Sequence, residues 1–174
     1  MSKKKTNVLE KKITWDSFAQ NTTSLYTFLI VGVFPLFTNY LKYARITLTK
    51  YYFFAGTTII LLLPILIGTI IKIISSSEYY LFFKRNISIT KIFLYLYLLG
   101  AVISSLISEY RHQVWIGTGR FEGLFTIIMY FLVFFVVSEY GRFSERHLAA
   151  YGIGIIILAC IAFGQYFGLN PFEF

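Results

Sequence analysis

The stretch YYFFAGTTIILLLPILIGTII, Tyr51 to Ile71, decides the fold class: it runs 21 residues without a charge. A helix needs about 20 apolar residues to cross the hydrocarbon of a bilayer. Four more uncharged runs accompany it. Thr23 to Leu41 has 19 residues, Ile92 to Ser108 has 17, Gly123 to Ser138 has 16 and Leu148 to Phe172 has 25. Ile92–Ser108 and Gly123–Ser138 are short for a span and must borrow flanking residues or sit in thinned bilayer. Across the 174 residues, 57% are hydrophobic and 14% charged, with a mean hydropathy of +0.68. A soluble domain carries about 25% charged residues. The composition excludes a soluble globular enzyme and a disordered chain. Cys160 is the single cysteine, so no disulfide forms within the chain. The expected architecture is an all-α polytopic membrane protein with about five transmembrane helices, near 23–41, 51–71, 92–108, 123–138 and 148–168, after a basic tail over residues 1–22.

Orientation follows from where the basic residues fall. With the N-terminus cytoplasmic, the inside segments hold Lys3, Lys4, Lys5, Lys11, Lys12, Lys72, Lys84, Arg85, Lys91, Arg142 and Arg146. The outside segments hold Lys42, Arg45, Lys50, Arg111 and Arg120, a bias of 11 to 5. The first external loop, with three basic residues in nine, is the exception. The tail MSKKKTNVLEKK is followed by polar residues including Asp16 and Gln20, which does not read as a secretory signal. The net charge of +8 is spread over short segments between apolar runs. There it meets lipid headgroups and sets topology, and no nucleic-acid motif accompanies it. Pro35 and Pro64 lie inside the first two spans, where Thr57, Thr58 and Thr69 are candidates to satisfy the carbonyl that Pro64 frees.

The usual catalytic constellations find little support. His112 and His147, the two histidines, fall on opposite sides of the expected bilayer, so they share no metal, and neither has cysteine or carboxylate neighbours at ligand spacing. The only aspartate, Asp16, sits in the tail, which removes a Ser-His-Asp triad. No cofactor is expected. No charge lies inside the uncharged cores, which speaks against an ion-coupled transporter.

The informative segment is SEYRHQVWIGTGRFEGLFTIIMY, which gathers Glu109, Arg111, His112, Arg120 and Glu122 beside Trp115 in one expected external loop. Gly117, Gly119 and Gly123 permit a tight turn or a close backbone approach. Arg120 and Glu122 precede the fourth span, where helix amides and a guanidinium favour an anion. The plainer reading is that Arg120 pairs with Glu122 or Glu109 and ties the loop to the membrane surface. A dinucleotide fingerprint is not met, because Glu122 stands where its third glycine belongs.

The run WIGTGRFEGLFTIIMYFLVFF resembles a segment of the O-antigen ligase and polysaccharide polymerase superfamily, particularly its clostridial-type members. Gly119, Arg120, Glu122, Gly123 and Leu124 match its Gly-Arg-x-Glu-Gly-Leu stretch, and Tyr130 follows in step. IAFGQYFGLNPFEF is similar to that group's Gln-Tyr-Phe-Gly-Leu-Asp-Pro-Phe ending, with Asn170 for Asp. FPLFTNY and TKYYFF resemble its first two spans. The resemblance covers about residues 23 to 174. It implies an integral glycosyltransferase of the bacterial cytoplasmic membrane that moves a glycan from a polyprenyl-pyrophosphate carrier. It also implies that the main catalytic loop lies downstream, so that this chain is the N-terminal part of a longer protein, inactive alone and completed by the remaining part. Arg120 and Arg111 are then the expected pyrophosphate contacts, with Glu122 orienting Arg120 and membrane lipid the surrounding partner. A non-catalytic scaffold or transporter subunit is the alternative.

Overall fold

A computed structural model describes residues 2–37, 45–77, 79–81, 88–117 and 119–168, with side chains described from Trp15 onward except those of Arg111 and His112. Lys42, Lys84, Arg85 and the stretch containing Asn170 lie outside the described residues. All regular structure among the described residues is helical. The elements are α1 (Ser2–Phe28), a π-turn (Leu29–Val33) and a 3-10 turn (Phe34–Leu36), then α2 (Ile46–Thr57), a second π-turn (Thr58–Leu62) and α3 (Leu63–Ser75). There follow α4 (Ile89–Ile107), the short α5 (Arg111–Ile116), α6 (Leu124–Tyr140) and α7 (Glu145–Tyr166). Among the described residues, three helical stretches are long and apolar enough to cross a membrane: Ile46–Ser75, Ile89–Ile107 and Glu145–Tyr166. Leu124–Tyr140 is apolar but shorter. These helices keep most of their large apolar side chains on the outside, as in α4, where Phe93, Leu96, Leu99 and Leu106 are all exposed. In water that surface would be costly; a lipid solvent covers it without penalty.

The prolines are accommodated by the backbone itself. Pro64 falls in the first turn of α3, directly after the π-turn Thr58–Leu62. The wider π hydrogen-bond register absorbs the missing N–H within the continuous Ile46–Ser75 helix. Thr69, a sequence candidate for that task, instead donates its hydroxyl to the carbonyl of Ile65 at 2.7 Å. Pro35 likewise follows a π-turn and sits in the 3-10 turn that ends the first helical stretch.

The chain divides into two compact units, Met1–Phe54 with Val136–Phe174, and Ala55–Phe135. In the first, α1 packs against α7. Ala19, Thr23, Tyr26 and Thr27 are buried at helical spacing on α1. The two threonine hydroxyls donate to the carbonyls of Ala19 (2.7 Å) and Thr23 (2.9 Å), so neither burial strands a polar group. Further along, small residues bring the two backbones together. A Cβ built on Gly32 would lie 3.1 Å from that of Ala150, and one on Gly154 would lie 3.5 Å from the Gly32 carbonyl oxygen. Small residues four apart on a helix are a standard way for membrane helices to approach closely. Ser24 meets His147 while Gly32 meets Ala150 and Gly154, so α1 and α7 run in the same direction.

Lys50 explains part of the positive first loop. Its Nζ donates to the carbonyl of Pro35 at 3.3 Å and lies 5.7 Å from the Phe34 ring centre. A cation at a helix C-terminus satisfies an orphan carbonyl and complements the helix dipole. In the second unit, Leu62, Ile65 and Thr69 form one buried stripe, and Leu124, Met129, Leu132 and Phe135 another. Tyr95 of α4 reaches Phe131 of α6 with ring centres 5.4 Å apart.

Candidate functional site: a cleft at the turn before α6

The turn between α4 and α6 is built by glycines and one strained residue. α5 ends at Gly117, whose amide donates to the Gln113 carbonyl at 2.7 Å with φ at +81°. That left-handed conformation suits glycine, and space demands it too. A Cβ on Gly117 would meet the Glu122 nitrogen at 2.7 Å, and one on Gly123 the carbonyl oxygen of Trp115 at 2.5 Å. Residues 115–117 and 122–123 thus touch backbone to backbone, closing a loop whose free part carries Gly119, Arg120 and Phe121. Gly119 also has a positive φ, +77°, but open space around it. Among the described residues Phe121 is the one non-glycine with positive φ, +58°. A bulky residue in that region costs about 1–3 kcal/mol and persists where its surroundings over-determine it. Here the Thr126 hydroxyl, from the first turn of α6, donates to the Phe121 carbonyl.

This closure forms a cleft of about 450 Å³ lined by Ser108, Tyr110, Gln113, Val114, Gly117, Arg120 and Glu122. The sequence candidates Arg120, Glu122 and Gly117 are brought together, with Gly119 and Gly123 shaping the loop. The backbone of Arg111 opens α5, while its side chain lies outside the described residues. Arg120 and Glu122 are both exposed. Among the described residues Arg120 forms no ion pair with Glu122 or Glu109, so the anchoring pair expected from the sequence is not made, nor is the contact by which Glu122 would orient Arg120. Glu122 instead stands two residues before the first residue of α6, where a carboxylate complements the helix dipole.

Chemically, the cleft offers one guanidinium fork, two hydroxyl-bearing side chains, an amide and one carboxylate. Ser108 already accepts from the Tyr110 amide at 3.2 Å through its Oγ, which fixes the cleft wall. Such a set suits an oxyanion with several acceptor oxygens. Among the described residues no three His, Cys, Asp or Glu side chains gather at metal-binding distance. Ser108, Tyr110 and Gln113 escape a sequence reading because neither charge nor motif marks them. Phe121 gives no signal because its backbone angle is imposed by the closure.

A second polar assembly was also missed. His147 is 5% exposed. It forms a reciprocal capping box with Ser144 at the start of α7 and reaches Ser24 of α1. The Ser24 hydroxyl lies 3.0 Å from Nε2, the distance of a nucleophile and its base, but Nδ1 accepts from the Ser144 amide at 3.1 Å. That fixes the proton on Nε2, the wrong tautomer for drawing a proton from Ser24. No family model, curated protein or solved structure matches the chain.

Proposed function

We propose that the chain serves an integral membrane glycan ligase or polymerase, and that the cleft before α6 receives the diphosphate of a polyprenyl-linked glycan. The carrying observation is Arg120: an exposed guanidinium on a closed glycine-cornered loop, with no ion pair among the described residues, in a cleft with Gln113, Ser108 and Tyr110. A diphosphate leaving group develops negative charge, and positioned cations are the main means of stabilising it. The backbone contacts at Gly117 and Gly123 hold the loop so that little ordering remains for binding to impose.

The five-span arrangement with the N-terminus inside draws support from the direction of α1 and α7. Helices that run the same way require an odd number of crossings between them. Ile46–Ser75 and Ile89–Ile107 are long and apolar enough for two, and the shorter apolar Leu124–Tyr140 is the candidate for the third. Its 17 residues rise about 25 Å, short of the roughly 30 Å core but within reach of local thinning. The 11-to-5 distribution of basic residues then puts Arg120 outside, the side on which the family assembles cell-surface glycans.

The test is equilibrium binding of polyprenyl diphosphate and polyprenyl monophosphate to the purified chain in nanodiscs. The account expects the diphosphate to bind more tightly, Arg120→Ala to lower its affinity about 10- to 150-fold, and Arg120→Lys to fall between because it loses the forked geometry. Equal affinities for both lipids, unaffected by either variant, would leave the scaffold reading in its place.

A further inference from the structure

His147 and Ser24 lie 123 positions apart, and the proposed activity uses neither. Nδ1 of His147 accepts the Ser144 backbone N–H at 3.1 Å, and Nε2 donates to the Ser24 carbonyl at 3.0 Å. An amide N–H can only donate and a carbonyl can only accept. The two partners together therefore select the neutral ring. We propose that this imidazole is a proton-sensitive latch, holding α1 against α7 while it is neutral and releasing them when it is protonated.

The groups around the ring favour that direction. An imidazolium carries N–H at both nitrogens, so its Nδ1–H would face the Ser144 N–H. It would also place a cation at the positive end of a 22-residue helix, inside a site that is 95% covered. Ser144 Oγ, at the N-cap of α7 and 2.9 Å from Nδ1, accepts the His147 backbone N–H and has a second lone pair for an Nδ1–H, but that would still leave the Ser144 N–H without its acceptor. Glu145 and Arg146 flank the ring on its own helix, one of each sign, both exposed and both lining the same cleft of about 800 Å³. Phe143 meets the ring edge-on at 6.2 Å. Among the described residues of α1 the ring meets the Ser24 hydroxyl and carbonyl alone, and between Gln20 and Phe28 the only titratable side chain is Tyr26. No described carboxylate hydrogen-bonds the imidazole to hold its charged form.

The small residues above the latch amplify the change. Gly32 and Ala150 are close enough that a modest splay of α1 from α7 separates them, and α7 continues from there through its apolar length while the first helical stretch ends at Leu36. Protonation where the C-terminal part of α1 meets the start of α7 is thereby coupled to their packing further along.

The experiment uses the full chain in nanodiscs. Thermal midpoints are measured at about pH 8 and about pH 5 for the wild type, His147→Gln and His112→Gln. Glutamine at the third position of a capping box can still accept the Ser144 N–H but does not titrate. The wild type and His112→Gln should lose about 2 to 8 °C on acidification relative to His147→Gln. Nitrogen NMR of histidine-labelled wild type supplies a reading that needs no variant, with the His147 proton on Nε2 at the higher pH. Identical pH profiles for wild type and His147→Gln would overturn the latch. So would a doubly protonated His147 in a chain whose midpoint has not moved.

Discussion

The turn before α6 and the α1–α7 junction both gather polar side chains, and they handle them in opposite ways. At the junction every polar atom of His147 is engaged: Nδ1 by the Ser144 amide, Nε2 by Ser24, with the ring buried. At the turn the backbone is what is engaged, through the contacts of Gly117 and Gly123, while Arg120 and Glu122 stand exposed and unpaired with each other. A buried, fully satisfied polar group fixes structure, because removing one partner strands the others. A rigid loop that leaves a guanidinium unspent fixes a binding group instead. Rigidity and side-chain saturation are therefore separable, and the proposed binding cleft is where they separate.

The sharpest way to break the contrast is to put a methyl group where the loop closes. Gly123→Ala would set a Cβ 2.5 Å from the Trp115 carbonyl oxygen and the Ile116 carbonyl carbon, and backbone on both sides leaves nothing flexible to yield. A loss of about 2–4 kcal/mol in denaturant unfolding is expected, with diphosphate binding lost alongside it. His147→Ala comes next. It strands the Ser144 amide and the Ser24 carbonyl and leaves a cavity, for a cost of about 2–3 kcal/mol, visible as a lower thermal midpoint. Diphosphate affinity should not move.

Gly119→Ala refines the picture of the loop. Its φ is +77° but nothing lies within 4 Å of the added Cβ, so only the conformational penalty of about 1 kcal/mol applies. Lys50→Gln should have the smallest effect. It removes the charge from a single bond to the Pro35 carbonyl, worth about 0.5–1 kcal/mol and measurable as a shift of about 1 to 4 °C in the midpoint.

The helical class was legible because each long uncharged run can be stable in only one conformation in lipid. The helix ends were less so. α7 begins at Glu145 although the uncharged run begins at Leu148, since Glu and Arg are good helix formers and Ser144 caps them. The π-turns at Leu29–Val33 and Thr58–Leu62 have no sequence signature beyond the prolines that follow them. At the candidate site, charge and glycine spacing pointed to Arg120, Glu122, Gly117, Gly119 and Gly123. Ser108, Tyr110 and Gln113 were silent because they arrive from the end of α4 and from α5, and only the fold brings them to Arg120. His147 was read as one of two isolated histidines, and its partner across 123 positions is set by helix packing rather than by any local pattern.

The central claim, that the turn binds and the junction holds, is tested most directly by crossing two variants with two readouts. Arg120→Ala and His147→Ala are each measured for polyprenyl diphosphate affinity and for thermal midpoint in nanodiscs. The account predicts that Arg120→Ala loses about 10- to 150-fold in affinity with its stability within about 0.5 kcal/mol of the wild type, while His147→Ala does the reverse. Loss of stability in Arg120→Ala in proportion to its loss of binding would contradict it, and would make Arg120 an anchor of the loop.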